Sequence, residues 1–227
     1  MLNLCYYFYM KKIFATFLIF LSLFSFCCAS NTPKTRNVVA ISDSVATLTI
    51  FSYNGSGESK FGIKNLGHSF LCLTNTTENT ITLAGKELAP NEEIYFGAWS
   101  LSVHFGIWYN VESNYIEFYN KYNGRVSVDK QINNEELEMI SDFILENDTW
   151  SPLNNCSKFA IRLWNKIAKD SEKLTLNFIN TPAKLIEELK TFESYKVNKP
   201  LSHYENCGYF SGITDETFEF IGGEIYA

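Results

Sequence analysis

Residues 154–167 read Asn154-Asn155-Cys156-Ser157-Lys158-Phe159-Ala160-Ile161-Arg162-Leu163-Trp164-Asn165-Lys166-Ile167. Cys156, Phe159, Ala160, Leu163, Trp164 and Ile167 recur at three- and four-residue spacing, which predicts a helix with one apolar stripe facing a core. An asparagine immediately before such a stripe caps it, because its side-chain oxygen accepts one of the orphan N–H groups of the first turn. Cys156 therefore falls in that first turn, where unpaired N–H groups and the macrodipole favour a thiolate over a thiol. The same position heads the apolar stripe, so a buried, inert cysteine is the competing reading.

Two further helices follow from the same period. Asn133 or Asn134 caps one that has Glu135 and Glu136 in its first turn and Leu137, Ile140, Phe143 and Ile144 on one stripe. Thr181 caps another, with Pro182 at its first position and Leu185, Ile186 and Leu189 buried. Before residue 132 the pattern is different. Short β-branched or apolar runs at 38–41, 46–51, 68–74, 80–83, 93–96, 106–111, 115–119 and 125–128 are punctuated by Gly and Asn, as strands are. Asn123-Gly124 marks a hairpin turn between the last two. The expected fold is therefore α+β, a meandering antiparallel sheet followed by helices that pack on it. The tail from Lys199 onward carries no clear period.

At the other end, Met10-Lys11-Lys12 followed by the apolar run 13–26 and the small residues Ala29 and Ser30 reads as a secretory signal. Met10 is then a candidate true start, residues 1–30 form the signal peptide and 31–227 one domain. The run of about a dozen apolar residues is short for a bilayer crossing, and no second one is long enough. Cys27-Cys28 leave a lipid anchor on Cys28 open as an alternative to cleavage beside it. The protein is thus expected to be secreted, periplasmic or held at the cell envelope. Loss of Lys11 and Lys12 leaves 17 basic residues against 25 acidic ones, a net charge of −8, which argues against nucleic acid as a partner. No phosphate-binding loop or dinucleotide fingerprint occurs, and three scattered histidines without a Cys-x-x-Cys pair give no metal-ligand spacing, so no cofactor or metal is expected.

The mature chain keeps Cys72, Cys156 and Cys207, an odd number in an oxidising compartment. If Cys156 works as a free thiol, any bridge should join Cys72 to Cys207. A nucleophilic cysteine needs a base, and His68, His104 and His203 are the candidates. His68 stands out in Gly67-His68-Ser69-Phe70-Leu71, where Gly67 lets the chain turn into a strand that then holds the ring on a rigid element.

Gly67-His68 opening a strand, with Asn155-Cys156-Ser157-Lys158-Phe159 opening a helix 88 residues later, resembles the circularly permuted NlpC-type branch of the papain-like superfamily, which includes lecithin retinol acyltransferase and bacterial envelope hydrolases. In that branch His precedes Cys, the reverse of the usual order. The resemblance covers roughly residues 60–195. It implies a papain-like sheet packed against helices, Cys156 as nucleophile, His68 as base, and hydrolysis or acyl transfer at an amide or ester bond. Peptide, peptidoglycan stem peptide or acyl groups would be the substrates. The third, ring-orienting group of the family, a polar residue on the strand beside the His strand, has no match: Thr80 and Thr82 lie on the next expected strand, and Asn75 falls on the opposite face from His68. Trp99, Trp108, Tyr109, Asn110 and Glu112 form an aromatic and polar cluster suited to a cleft, or equally to a core and its rim. The rival readings are a noncatalytic secreted binding module and a papain-like scaffold without activity.

Overall fold

The computed structural model describes residues 35–55, 67–101, 103–113, 115, 122–204 and 206–210, and the backbone of 219–221 and 224–226. The proposed signal peptide and Cys28 lie outside the described residues. The strands are β1 (Ala46–Tyr53), β2 (His68–Asn75), β3 (Ile81–Leu83), β4 (Lys86–Leu88), β5 (Glu93–Ser100), β6 (Phe105–Tyr109), β7 (Val126–Ile132), β8 (Lys196–Val197), β9 (Gly208–Tyr209), β10 (Glu219–Ile221) and β11 (Glu224–Tyr226). The helices are α1 (Asn134–Glu146), α2 (Cys156–Ile167) and α3 (Pro182–Leu189). The class is α+β. No helix among the described residues is long and apolar enough to cross a membrane.

Seven strands form one sheet in the order β8-β7-β1-β2-β5-β6-β9, and each neighbouring pair is antiparallel. It is not the simple meander expected from the sequence. The β3–β4 hairpin stands apart, and β7 returns to pair with β1 on the far side of β2. Alternation along β1 and β2 sorts the side chains. Leu48, Ile50, Leu71 and Leu73 join one core with Phe159, Leu163, Trp164, Leu185 and Leu189 of the helices, while Phe51, Tyr53, Phe70 and Cys72 join Tyr95 and Tyr122 on the opposite face.

All three helices begin where the caps place them. Asn133 and Glu136 form a reciprocal capping box, Asn155 accepts from the Lys158 N–H at 3.0 Å, and Thr181 accepts from the Lys184 N–H ahead of Pro182. The expected strand at 38–41 fails for an identifiable reason, and the one at 115–119 lies mostly outside the described residues. Residues 38–41 are irregular because the Val39 N–H donates to the buried Glu172 carboxylate at 2.7 Å, the same group that pairs with Lys130 at 3.1 Å. Residues 115–119 do not begin as a strand: Asn110, at φ 58°, ends β6, and Val111, Glu112, Ser113 and Tyr115 are helical. Residues 116–119 lie outside the described set. The turn at Asn123-Gly124 is present, with Gly124 at φ 83°, but it leads into a strand that pairs with β1 and β8 rather than into a local hairpin.

One buried hydroxyl chain sets α2 and α3 against the sheet. The Ser52 hydroxyl donates to the Pro182 carbonyl at 2.9 Å, so it must accept from Ser69 at 3.0 Å, and Ser69 must in turn accept from Ser157 at 2.9 Å. The chain thus runs from the first turn of α2 through β2 and β1 to the first turn of α3. All three serines are fully buried. Removing the middle member strands a hydroxyl donor in a dry interface, so Ser69→Ala should lower the unfolding free energy by about 1–3 kcal/mol. Urea denaturation of the two proteins measures this, and the exposed Ser202→Ala gives the comparison.

Candidate functional site

The site lies where two neighbouring strands part. β5 pairs with β2 through residues 93–96 and no further, whereas it pairs with β6 through 96–100. His68 and Ser69 therefore start β2 beyond the end of the β5 ladder. Gly67 makes that start possible: its φ is 78°, and a side chain there would strike the Tyr53 carbonyl oxygen.

Into the opening comes the N-terminus of α2. The Cys156 thiol and the His68 ring lie close enough for each to shift the protonation of the other, and the Ser69 main chain, past the end of the β5 ladder, favours the thiolate form of the same sulfur. The Nε2 atom of His68 contacts Glu112 Oε1 at 2.9 Å, which leaves Nδ1 to face the sulfur. Trp99 Nε1 donates to the same carboxylate oxygen at 2.8 Å, and the indole packs over the imidazole with ring centroids 4.1 Å apart. Glu112 is fully buried, and its Oε2 has no partner among the described residues. Gly97 is the floor beneath this pair. A Cβ there would sit 2.8 Å from Glu112 Oε1 and 3.2 Å from His68 Nε2.

The electrostatics follow from this packing. Burial opposes the charged form of His68, but the Cys156 thiolate and Glu112 outweigh it and raise the imidazolium pKa from 6.5 to about 9. Burial likewise opposes the Cys156 thiolate, but the His68 cation and the Ser69 N–H outweigh it and hold the thiol below its usual range. Both shifts favour a Cys156 thiolate–His68 imidazolium pair. Burial pushes the Cys207 thiol up to about 12 and raises Cys72 as well. Tyr122, packed 6.2 Å from the His68 ring with its own φ at 62°, has its phenol driven upward by burial and stays protonated.

A cleft of about 670 Å³ opens onto this group. Its walls include Ala98, Trp99, Trp150, Pro152, Pro182 and Ala183, with Asn54, Asn155 and Asn180 as polar points. The N–H groups of Cys156 and Ser157, in the first turn of α2, have no intrahelical acceptor and lie beside the sulfur. Asn155 is itself held by donating to the Asn180 carbonyl at 2.9 Å.

Of the residues singled out from the sequence, Cys156 and His68 meet here and the other histidines do not. His104 pairs with Asp148 at 2.8 Å and stacks on Tyr209, and exposed His203 is not part of the cleft. Cys72 and Cys207 are buried in separate clusters and neither is disulfide-bonded, so no bridge joins the two. Asn75 spends its side chain on the Asn79, Leu88 and Ala89 carbonyls, while Thr82 belongs to the detached hairpin. The aromatic cluster divides: Trp99 lines the cleft, Trp108 and Tyr109 are core, and Asn110 accepts from the Tyr95 N–H. Glu112 emerges as the partner of His68, a role the sequence reading had left unassigned. It reaches the ring from the helical turn after β6, two strands away from β2, and the signal available was a carboxylate immediately after the largely apolar run 105–111. No group of three or more His, Cys, Asp or Glu among the described residues could hold a metal. No family model, curated protein or solved structure matches this chain.

Alkylation reads the thiol directly. Cys156 should react with iodoacetamide before Cys72 and Cys207, with its inflection below the ordinary thiol value of 9.0. His68→Ala should move that inflection upward, because the stabilising cation is gone, while His104→Ala and His203→Ala leave it in place. Peptide mapping by mass spectrometry of samples quenched across the pH range gives all three results.

Proposed function

We propose that this protein is a papain-like thiol hydrolase or acyltransferase of the permuted NlpC type, acting on an amide or ester bond outside the cytoplasm. The observation that carries the reading is the meeting in one cleft of Cys156, at a helix N-terminus, and His68, whose Nε2 rests on a buried carboxylate. In the reaction the thiolate attacks the substrate carbonyl carbon, and the charge that develops on oxygen is met by the first-turn N–H of Cys156. His68 then gives its Nδ1 proton to the departing amine or alcohol, leaving a thioester on Cys156 and a neutral imidazole. Water, or a second alcohol or amine, loses a proton to that imidazole as it attacks the thioester. The acid or transferred acyl product leaves, and the thiolate–imidazolium pair is restored. Glu112 orients the ring and favours its charged form, and the Trp99 indole holds Glu112 in turn.

The Trp, Pro and Ala walls of the cleft suit an apolar acyl group beside the scissile carbonyl. Peptidoglycan stem peptides stand as the substrate class suggested by family resemblance for a bacterial envelope.

p-Nitrophenyl acyl esters test the chemistry without a known substrate. The wild-type protein should release nitrophenol and show, by intact mass, one acyl adduct that maps to Cys156. Cys156→Ser should form none, and His68→Ala should turn over about 10²–10⁴-fold more slowly. Glu112→Gln keeps an acceptor for the ring but removes the negative charge. The His68 pKa should then drop below 9, so the alkaline limb of the rate profile should move to lower pH. An adduct on any other residue, or ester hydrolysis unchanged in Cys156→Ser, would overturn the assignment.

A further inference from the structure

The loop between α2 and α3 is firmly built yet presents large apolar side chains to solvent. Leu176, Phe178 and Ile179 are 51%, 75% and 56% exposed, and Leu153, in the loop ahead of α2, is 50% exposed. The backbone on either side of them is tied down. Asn165 holds Leu174 by two hydrogen bonds of 2.7 Å, the Thr175 N–H donates to Glu188, and Asn177 and Asn180 are joined by two more bonds. The two loops are tied together by the Asn155–Asn180 bond, and both border the cleft, through Pro152 on one side and Asn180 and Thr181 on the other. Rigid loops gain nothing in folding from exposing such side chains, and a patch of this kind marks a contact surface.

Charge identifies what it contacts. Residues 158–190 contain seven Lys and Arg against four Asp and Glu, a net of +3 within a chain whose total is −6. The remaining residues therefore carry −9. Lys158, Lys166, Lys169 and Lys184 have no carboxylate partner among the described residues, and Lys158 and Lys184 occupy the third position of α2 and α3, the two helices that start at the cleft. Lys184 borders the loop itself, lining a small cavity with Thr175, Asn177, Asn180 and Glu188, whose carboxylate is taken by the Thr175 N–H. Protein–protein interfaces are depleted in lysine, whereas exposed apolar side chains in a segment with an excess of lysine match a lipid surface with anionic headgroups.

We propose that Leu153, Leu176, Phe178 and Ile179 form a membrane-docking surface, which inserts into an anionic lipid leaflet and turns the mouth of the Cys156 cleft toward it. Phe178 and Ile179 enter the acyl boundary, and Lys158 and Lys184 lie at headgroup level. The docking uses residues other than those of the thiol chemistry, so Cys156→Ser should dock as the wild type does, and failure of the enzyme assignment would leave this proposal standing.

The test is co-sedimentation of the mature chain, residues 31–227, with vesicles of phosphatidylcholine alone and of phosphatidylcholine mixed with phosphatidylglycerol. Wild-type protein should partition to the mixed vesicles and less to the neutral ones, and salt should weaken the binding. The double variant Phe178→Ser/Ile179→Ser should partition more than about tenfold less, from the lost apolar burial alone. Lys184→Glu should reduce binding to mixed vesicles and leave binding to neutral ones unchanged. These positions are exposed, so melting temperatures should match the wild type and exclude misfolding as the cause. Equal sedimentation of the double variant and the wild type overturns the proposal. So does a wild-type chain that ignores both vesicles but is dimeric, with the double variant monomeric, since the patch would then join two copies.

Discussion

β2 and β5 stay paired only as far as Leu71 and Phe96, and the site depends on that parting. Had the ladder run on, the backbone of β5 would occupy the neighbourhood of His68 and Ser69. Instead Gly97, without a side chain, leaves room for Glu112 to reach the imidazole from beyond β6, and the freed Ser69 main chain favours the thiolate form of Cys156. The opening is kept by packing from both sides. Trp99 and Tyr122 close over the ring, and the hydroxyl chain from Ser157 through Ser69 and Ser52 to Pro182 fixes the two helix N-termini against the strands.

Two buried charge systems divide the work of the molecule. Lys130 and Glu172 form an ion pair that also accepts the Val39 and Lys169 N–H groups, so that it anchors the start of the described chain and the loop after α2 to β7. With all its groups satisfied, it reads as architecture. The Cys156–His68–Glu112 line differs because one oxygen of Glu112 has no hydrogen-bond partner among the described residues and because two of its groups have their protonation moved in opposite directions by each other. Uncompensated polar groups and mutually shifted titrations belong to sites that do chemistry more often than to scaffolds.

Much of the secondary structure was legible because its causes are local. The caps at Asn133, Asn155 and Thr181 and the apolar stripes behind them depend on residues within a turn or two, and α1, α2 and α3 begin where those residues dictate. The strand reading was sound for β1, β2 and β5, whose alternation or apolar density is strong. It failed at 38–41, where a remote carboxylate takes the backbone N–H, a cause not written near the segment that it alters.

The same distinction holds for the site. Sequence alone determined that Cys156 sits at a helix N-terminus and His68 at a strand start after a glycine, since capping and positive φ are properties of neighbours. That the two meet, that Glu112 rather than a residue of the adjacent strand supports the ring, and that His104 is occupied by Asp148 were decided by tertiary structure. Strand order and the end of the β2–β5 ladder set these pairings, and they arise from how whole faces of the sheet and helices pack, which no local spacing encodes.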